Sequence, residues 1–505
     1  MKIREGLNNR ILIFSVLLSL QAFILLLILL EMVTYTAMTT LAARVLSGIV
    51  MLFVLNKEEE AAYKITWVIL ILLLPVIGGV IYLLIGDQRL SKNMRNHFEK
   101  QIQHERQYSE TTAAINEIKD SYIRGQFRYL ENEGFVAYGN NKTTYYPLGD
   151  DYFVGLLQAL KSAKHFIFME YFIVQEGEMF NQILEILIDK VKAGLEVRFM
   201  YDDVGSLTVL PHKYYLTLQK CGIQCIAFNP FVPILSAAMN HRDHRKITVI
   251  DGWIGFTGGI NLADEYINVK TKYGHWKDTG IKLEGNAVWN LTTMFLTTWN
   301  ASKDTLEDFS VYHPHHYQPK SFIEDGFVIP YADSPLDNKP VGQNVYLNII
   351  NHAKRYVYIC TPYLILNETL QSALILAKQR GVDVRICTPG IPDKKIVFRV
   401  TRSYYEHLIR HGIRIYEYKP GFLHAKNFVC DDEIATIGTI NMDYRSLFLH
   451  FECGIYLYQT RTVQHIKDDF LQTMARSEEM TEEKVLKGKF RGVYEAILRL
   501  FAPLL

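Results

Sequence analysis

The sequence has few of the features that indicate a disulfide framework, a structural metal or a nucleic-acid surface. It contains 6 cysteines in 505 residues, and no two of them have the C-x-x-C spacing of a zinc site or redox motif. Lysine and arginine total 54 against 53 aspartate and glutamate, which gives a formal net charge of +1. A nearly neutral chain lacks the cationic surplus of nucleic-acid-binding proteins. We therefore expect no disulfide, no structural metal and no nucleic-acid partner.

Charge is also missing from two long stretches near the N-terminus. Residues 11–30 are 20 uncharged residues, about the length that crosses a bilayer. Residues 65–85 are equally uncharged, and their Pro75 is of a kind that membrane helices tolerate. A cleaved signal peptide is the competing interpretation of the first stretch, but its apolar run is long for one and no A-x-A-like site follows. Both stretches predict membrane helices.

The number of crossings stays open. Residues 33–55 are apolar but include Arg44, which is compatible with a third crossing or with a re-entrant segment. Basic residues flank the apolar region on both sides: Lys2, Arg4, Arg10, Arg89, Lys92 and Arg95. By the positive-inside rule both flanks are cytoplasmic, which requires an even number of crossings and conflicts with three. We expect a multi-pass membrane protein with the large C-terminal part in the cytoplasm.

The rest of the chain repeats itself. After a polar connector, short apolar strands alternate with helical patterns, which is typical of an α/β fold. "SAKHFIFMEYFIV" (residues 162–174) corresponds to "HAKRYVYICTPYLIL" (residues 352–366), and "KAGLEVRFMYD" to "QRGVDVRICTP". Such self-similarity predicts two copies of one structural unit.

A third corresponding pair contains the chemically interesting residues. "HRKITVIDGWIGFTGGIN" (residues 244–261) matches "HAKNFVCDDEIATIGTIN" (residues 424–441) without a gap. The shared residues are His244, Lys246, Asp251, Gly258 and Asn261 in the first copy and His424, Lys426, Asp431, Gly438 and Asn441 in the second. A single strand histidine is usually structural, but duplication argues against that here. His241 has no lysine two residues later and no counterpart, so His244 is the candidate.

The spacing has geometric consequences. Residues two apart on a strand point to the same face, so each histidine lies beside its lysine. Each aspartate falls at a predicted turn position, "DG" in the first copy, which indicates a hairpin. Asp251 and Asp431 belong to the candidate catalytic motif, although support of the loop and strand is the favoured role. The returning strand would bring Asn261 and Asn441 back towards the histidines.

Two histidines, two lysines and two asparagines around one point suit a phosphodiester. One imidazole attacks phosphorus, cations and amides neutralise its oxygens, and the other imidazole delivers a proton to the departing alkoxide. This chemistry requires neither a metal nor a cofactor.

The duplicated pattern H-x-K-(x)4-D-(x)6-G-x-x-N resembles the phospholipase D superfamily. The resemblance implies transmembrane helices followed by two pseudo-twofold-related α/β/α lobes that share one active site, and a covalent phosphohistidine intermediate. It implies that His244 is the nucleophile and His424 the general acid and then base, whereas the residues alone leave that order open. The expected segments are a membrane anchor (1–86), a connector (87–130), a first lobe (131–320) and a second lobe (321–505).

Within that superfamily the chain is similar to bacterial cardiolipin synthases. The similarity rests on "LPVIGGVIYLLIG", "HWKDTGIKLEG", "NMDYRSLFLHFECG" and the ending "RLFAPLL". It implies that Asp278 and Glu452 complete the substrate site by hydrogen-bonding the histidines, the alternative being exposed surface carboxylates. One departure is Gly259, which has no hydroxyl, so only Thr439 offers one to the phosphate at this position.

The resemblance implies a phosphatidyltransferase that acts on phosphatidylglycerol in a bacterial cell membrane. One phosphatidylglycerol would donate its phosphatidyl group and release glycerol, and a second would accept the group to give cardiolipin. Phospholipase D hydrolysis, or transfer to another alcohol, remains the alternative because the motif builds the phosphohistidine without specifying the acceptor. Acyl-chain preference and oligomeric state are left open.

Overall fold

The computed structural model describes Ser19 and residues 37–86, 91–110, 114–232, 237–319, 321–323, 326–337, 339–485 and 491–504. The first predicted membrane stretch, residues 11–30, lies outside the described residues except for Ser19.

The described chain contains both helices and strands along most of its length. The α-helices are α1 (Ala37–Asn56), α2 (Ala61–Leu73), α3 (Pro75–Ile85), α4 (Lys92–Glu105), α5 (Ala114–Glu117), α6 (Ser121–Asn132), α7 (Gly149–Ser162), α8 (Glu178–Lys192), α9 (Tyr214–Lys220), α10 (Val288–Lys303), α11 (Val341–His352), α12 (Glu368–Gln379), α13 (Lys395–Arg410), α14 (Tyr444–Phe448), α15 (Arg461–Ala475), α16 (Glu482–Val485) and α17 (Arg491–Phe501). The strands are β1 (Tyr138–Gly139), β2 (Lys142–Tyr146), β3 (Phe166–Tyr171), β4 (Glu196–Asp202), β5 (Gln224–Phe228), β6 (Lys246–Ile250), β7 (Ile254–Gly258), β8 (His275–Lys277), β9 (Gly280–Glu284), β10 (Phe327–Asp333), β11 (Tyr356–Cys360), β12 (Asp383–Pro389), β13 (Arg414–Tyr418), β14 (Gly421–Leu423), β15 (Asn427–Cys430), β16 (Ile434–Gly438), β17 (Glu452–Tyr458) and β18 (Ser477–Met480).

Two mixed sheets form the centres of two lobes, as the internal repeat predicts. The first sheet has the order β2-β9-β7-β6-β3-β4-β5, and the second β1-β10-β17-β16-β15-β11-β12-β13-β18. The run β9-β7-β6-β3-β4-β5 in the first sheet corresponds strand by strand to β17-β16-β15-β11-β12-β13 in the second. In both copies the middle strands are parallel and connected through helices, which is the arrangement of an α/β fold.

The two lobes are interleaved at three places. β8, which precedes β9 of the first sheet, pairs in parallel with β14 of the second copy. An isolated parallel bridge joins Asp243 to Phe451 at the corresponding place in the other half. β1, from the predicted first lobe, pairs with β10 in the second sheet. The predicted domain boundary at residues 320 and 321 stays a prediction, since these contacts join the copies at several points.

The second predicted membrane stretch, residues 65–85, is not one continuous helix. α2 ends at Leu73 and α3 begins at Pro75, which lacks the amide hydrogen needed to continue α2. The chain then folds back: the Tyr63 hydroxyl donates to the Gly86 carbonyl at 3.1 Å. Gly78 allows this close packing, because a Cβ there would lie 2.6 Å from the Leu70 carbonyl oxygen. The expectation of a single helix over this stretch is therefore wrong, and a helical hairpin takes its place.

This hairpin is attached to the second lobe. The Thr66 hydroxyl donates to the carbonyl of Leu500 in α17 at 2.6 Å. The side chain of Asn367, which caps α12, donates to Glu60 at 3.4 Å. Of the helices in the described ranges, none combines the length and the apolar character required to cross a bilayer.

Candidate active site

Each motif histidine forms a hydrogen bond with a buried carboxylate from the other half of the molecule. Nδ1 of His244 lies 2.9 and 3.0 Å from the two oxygens of Glu452, and Nδ1 of His424 lies 2.6 Å from Asp278 Oδ2. Both carboxylates are fully buried, so the alternative of exposed surface groups is wrong. The partners are exchanged between the copies. The histidine of the first copy contacts a carboxylate of the second copy, and the histidine of the second copy contacts a carboxylate of the first.

Backbone pairing explains this exchange. The amide of His424 donates to the carbonyl of Lys277 at 2.7 Å, and Asp278 is the next residue along the chain. In the other half, the amide of His244 donates to the carbonyl of Phe451 at 2.9 Å, and Glu452 follows directly. Each histidine and its carboxylate partner therefore lie side by side on two neighbouring parallel segments.

The two motif lysines lie inside the same site. The ammonium groups of Lys246 and Lys426 each donate to the carbonyl oxygen of the histidine two residues earlier. Burial lowers the pKa of Lys246 to about 8, despite the opposing attraction of Glu452. Burial lowers the pKa of Lys426 to about 7, and repulsion from Lys246 contributes in the same direction. Two buried cations close to one another create a place for an anion.

Both histidines are neutral at physiological pH. Burial lowers the pKa of His244 to about 3, although Glu452 opposes the shift, and burial together with Lys426 lowers the pKa of His424 to about 4. Burial alone would raise the pKa of Glu452, but the adjacent His244 brings it below its usual value. An ionised carboxylate at Nδ1 keeps the proton on that nitrogen, which leaves the Nε2 lone pair available for attack or proton abstraction.

The motif aspartates lie at the opposite end of their strands from the histidines. Asp251 is seven residues beyond His244, about 20 Å along an extended strand. Its carboxylate accepts hydrogen bonds from the amides of Lys164, His165 and Phe166 at 2.8 to 2.9 Å. Asp431 accepts from the corresponding three amides before and within β11, at 2.6 to 2.9 Å. The catalytic assignment of Asp251 and Asp431 is therefore corrected to the favoured structural one.

The predicted hairpin turns are present at these aspartates. Asp251 and Gly252 have φ values of 49° and 69°, and Asp431 and Asp432 have 54° and 63°. Aspartate tolerates this left-handed region better than most residues, and its carboxylate is aimed at the neighbouring strand. The turn thus fixes both the hairpin and the start of the adjacent strand.

We expect Asp251→Ala to act on stability and not on chemistry. The substitution leaves three strand amides without their charged acceptor, which should lower the free energy of unfolding by about 3 kcal/mol. Denaturant unfolding measures this loss, and Asp431→Ala is the matched variant in the other copy. The rate per folded molecule should stay within roughly 10-fold of the wild type. A far larger rate loss in a variant of unchanged stability would contradict the structural role.

The motif asparagines are near the site but hold different contacts. The side-chain oxygen of Asn261 accepts from the Ile173 amide at 2.9 Å, and its nitrogen donates to the Tyr266 hydroxyl at 2.7 Å. Both polar atoms of the Asn261 side chain therefore already have a hydrogen-bond partner in the protein. Asn441 Oδ1 is buried and has no hydrogen-bond partner in the described part of the chain. Substrate binding by the two asparagines stays a prediction.

Gly259 and Thr439 explain part of the asymmetry between the copies. The Thr439 hydroxyl donates to Glu452 and so holds the carboxylate that contacts His244. At the equivalent position in the first copy, a Cβ on Gly259 would lie 2.1 Å from Asp278 Oδ1. The Thr439 hydroxyl expected to face the phosphate thus supports a carboxylate, and the glycine makes room for the other carboxylate.

Comparison with known proteins agrees with this geometry. A sequence profile described as the phospholipase D-like domain of cardiolipin synthase matches residues 156–273 and 346–474, and one described as the phospholipase D-nuclease N-terminal segment matches residues 45–86. A cardiolipin synthase of Alkalihalophilus pseudofirmus is 35% identical over 469 residues, which cover 91% of each chain. The chain belongs to the cardiolipin synthase family. An uncharacterised protein of Streptococcus mutans serotype c is 42% identical over 459 residues, or 90% of this chain and 99% of that one.

A solved structure supports the fold. The phosphatidylserine synthase of Haemophilus influenzae superposes with a TM-score of 0.55 at 15% identity, covering 76% of this chain and 98% of that one. At this identity the likeness shows the two-lobed phospholipase D-like fold alone.

Sequence reasoning missed the residues that surround the two imidazoles. His450 lies with its ring centroid 5.6 Å from that of His244, and Trp276 lies 5.4 Å from His424. Each stands two residues before the carboxylate of its segment, Glu452 or Asp278. Alternation along a strand places such residues on the same face as that carboxylate, which is the signal that finds them. The ring centroid of Phe172 lies 4.9 Å from that of His244, and those of Phe422 and Tyr266 each lie 5.6 Å from that of His424.

The lysine pKa values predict an alkaline limit for the family's reaction. A lysine with a lowered pKa is cationic below that value and loses its charge as the pH rises through it. The ratio kcat/KM reports the free enzyme, so its decline with pH should become steeper as the pH rises through about 7 to 8, as Lys426 and then Lys246 become neutral. The histidine values of about 3 and 4 place the acid limit of the nucleophile far below neutrality.

A pH profile of kcat/KM between pH 5 and 10 in mixed micelles, roughly the range that brackets the lysine titrations, measures this limit. Lys426→Arg keeps its charge throughout and should move the alkaline limb to higher pH. A profile whose slope does not steepen towards the alkaline end, or a steeper limb unmoved by Lys426→Arg, would show that the lysines do not set this limit.

Proposed function

We propose that the protein is a cardiolipin synthase that transfers a phosphatidyl group from one phosphatidylglycerol to another. The observation that supports this most directly is the pair of exchanged histidine–carboxylate contacts around two buried lysines. Membership of the family supports the choice of phosphatidylglycerol as substrate.

In the first half of the reaction the neutral Nε2 of His244 attacks the phosphorus of phosphatidylglycerol. A P–N bond forms, the P–O bond to the terminal glycerol breaks, and glycerol leaves with a proton from His424. Although burial lowers the pKa of His424 in the free protein, the negative charge of the bound phosphodiester favours the imidazolium. Lys246 and Lys426 neutralise the charge on the phosphoryl oxygens.

In the second half, the terminal hydroxyl of another phosphatidylglycerol loses its proton to the now neutral His424. The oxygen attacks the phosphohistidine, the P–N bond breaks, and cardiolipin is released with His244 restored. One phosphodiester replaces another, so the exchange needs no separate energy source. The roles follow the order usual in this superfamily.

The burial of the site supports transfer over hydrolysis. His244 and His424 are 7% and 6% exposed in the described structure, and aromatic rings lie against both. A site that excludes bulk water protects a reactive phosphohistidine from hydrolysis. An alcohol delivered by a second lipid is then favoured as acceptor.

We also place the protein at the membrane through its N-terminal helices, with the lobes on the cytoplasmic side. At the turn of the α2–α3 hairpin, Leu72, Leu73 and Leu74 are 62%, 70% and 47% exposed. Consecutive exposed leucines at a helical turn suit insertion into lipid. The basic residues on both flanks of the apolar region support the cytoplasmic placement.

The proposed function is tested by incubating the purified full chain with phosphatidylglycerol vesicles. Mass spectrometry measures cardiolipin and phosphatidate, and an enzymatic assay measures glycerol. We expect cardiolipin and glycerol in equal amounts, both dependent on His244. Phosphatidate with glycerol and without cardiolipin would identify water as the acceptor and overturn the transferase assignment in favour of a phospholipase D.

A further inference from the structure

A third histidine lies beside the proposed nucleophile, and its imidazole makes no hydrogen bond to any described residue. His450 is 9% exposed, and neither of its ring nitrogens has a hydrogen-bond partner among the described residues. Its Nδ1 lies 3.8 Å from Glu452 Oε1, the oxygen that lies 2.9 Å from His244 Nδ1. A buried imidazole without a partner is costly, so this position favours a ligand that it can bind.

The three side chains have the composition and spacing of a zinc site. His244, His450 and Glu452 each offer one ligand atom, and these atoms lie within 4.8 Å of one another. Zn–N and Zn–O bonds of about 2.1 Å in a tetrahedron place ligand atoms about 3.4 Å apart. The observed separations of 2.9 and 3.8 Å lie on either side of that value. Two histidines and one carboxylate leave the fourth position of the tetrahedron open.

We propose that a zinc ion binds reversibly between His244, His450 and Glu452 and inhibits the protein. Imidazole and carboxylate ligands together suit zinc and cobalt, whereas magnesium and calcium prefer oxygen ligands. Magnesium at comparable concentration therefore leaves the site unaffected. The ion is an inhibitor, so the phosphoryl chemistry described above still proceeds without a metal.

The inhibition rests on the proposed role of His244 as nucleophile. A neutral imidazole has one proton and one free lone pair on its two nitrogens. In the active arrangement the proton is on Nδ1, facing Glu452, and the lone pair is on Nε2. Zinc at Nδ1 uses the lone pair of that nitrogen, so the proton moves to Nε2 and no lone pair remains there. The imidazole then cannot attack phosphorus.

The other half of the active site lacks this capacity. Trp276 lies two residues before Asp278, just as His450 lies two residues before Glu452. The ring centroid of Trp276 lies 5.4 Å from that of His424. An indole offers a hydrogen-bond donor and no lone pair for a metal. The geometry thus predicts one metal ion per chain in spite of the pseudo-twofold symmetry.

Binding is measured with Co²⁺ as a spectroscopic probe on tag-free, full-length protein in detergent. The cluster of His313, His315 and His316, of which the last two are exposed, is a competing site, with ring centroids 4.3 and 3.8 Å apart. All measurements therefore use a parent with His315→Ala and His316→Ala. We expect one Co²⁺ per chain, with the visible absorption of a tetrahedral ion.

His450→Phe should weaken Co²⁺ binding by at least about 10-fold, since even the loss of an outer-sphere contact costs 10- to 100-fold. His450→Asn provides a second variant should the first fail to fold. Trp276→His should raise the stoichiometry to two. Unchanged Co²⁺ affinity in both His450 variants, or a parent that binds no tetrahedral Co²⁺, would overturn the proposal.

Inhibition is measured separately with Zn²⁺ in the phosphatidylglycerol vesicle assay. Each variant is normalised to its own metal-free rate, and the inhibitory concentration should rise at least about 10-fold in His450→Phe. Equal zinc sensitivity in parent and variant would contradict inhibition at this site. If the parent forms no cardiolipin, the proposed function fails, while the Co²⁺ spectrum still decides whether the metal site exists.

Discussion

His244→Ala is expected to lower the rate of cardiolipin formation by roughly 10⁴-fold or more, because in the proposed mechanism this imidazole supplies the attacking lone pair. His424→Ala should produce a similar loss with phosphatidylglycerol, since glycerol then leaves without a proton. Lipid mass spectrometry of the vesicle reaction measures both losses. The two variants become distinguishable when the leaving group needs no proton.

A p-nitrophenyl ester of phosphatidate provides such a leaving group. With His244 as nucleophile, His424→Ala should still release a burst of about one p-nitrophenolate per chain, and His244→Ala none. The phosphatidyl-enzyme that accumulates can be isolated as an acid-labile adduct on His244. A burst in His244→Ala and its absence in His424→Ala would exchange the two roles. His315→Ala, which removes an exposed histidine outside the site, is the matched control.

Glu452→Gln is expected to lower the rate by roughly 10³- to 10⁴-fold while leaving the fold intact. The amide removes the charge that stabilises the imidazolium and can donate to Nδ1, which favours the wrong tautomer of His244. The hydroxyl of Thr439 can still contact the amide, so the side chain should remain in place. Burst kinetics with the p-nitrophenyl ester, together with denaturant unfolding, separate this chemical effect from a loss of structure.

Asp278→Asn is the matched substitution on the other histidine. It should leave the burst nearly unchanged and slow the later steps, because Asp278 acts through His424. Thr439→Val should lower the rate by only about 10-fold, since it removes a hydrogen bond to Glu452 and leaves the charge of that carboxylate in place. A loss below 10-fold in both carboxylate variants would show that the hydrogen bonds to Nδ1 do not control the reaction.

The duplicated motif allowed much of the site to be predicted from the sequence. The two-residue spacing of His244 and Lys246 predicted a shared face, and the positions of Asp251 and Asp431 predicted turns; both depend on local backbone geometry. The structural role favoured for these aspartates was recognisable from the same local pattern. Asn261 was less predictable, because its contacts with Ile173 and Tyr266 depend on how the loops pack.

In the apolar N-terminal region, the hydropathy pattern alone was insufficient to predict the path of the chain. An uncharged stretch of residues 65–85 is compatible with a continuous helix and with a hairpin, because hydropathy records composition and not direction. The break at Pro75 and the close approach of Gly78 to Leu70 decide between them. A proline is a local signal, but whether the chain bends or folds back there depends on what packs against it.

The sequence by itself determined the two-copy α/β organisation, the identity of the paired histidines and lysines, and the phosphodiester chemistry. Each follows from spacing within about 20 residues of strand and turn and from the repetition of that spacing later in the chain. Only the tertiary structure decided that Glu452 serves His244 and Asp278 serves His424, contacts that join residues 208 and 146 positions apart. It also decided that His450 lies beside the nucleophile and Trp276 beside its counterpart. These features depend on how two separately encoded copies pack face to face, and local periodicity holds no information about that packing.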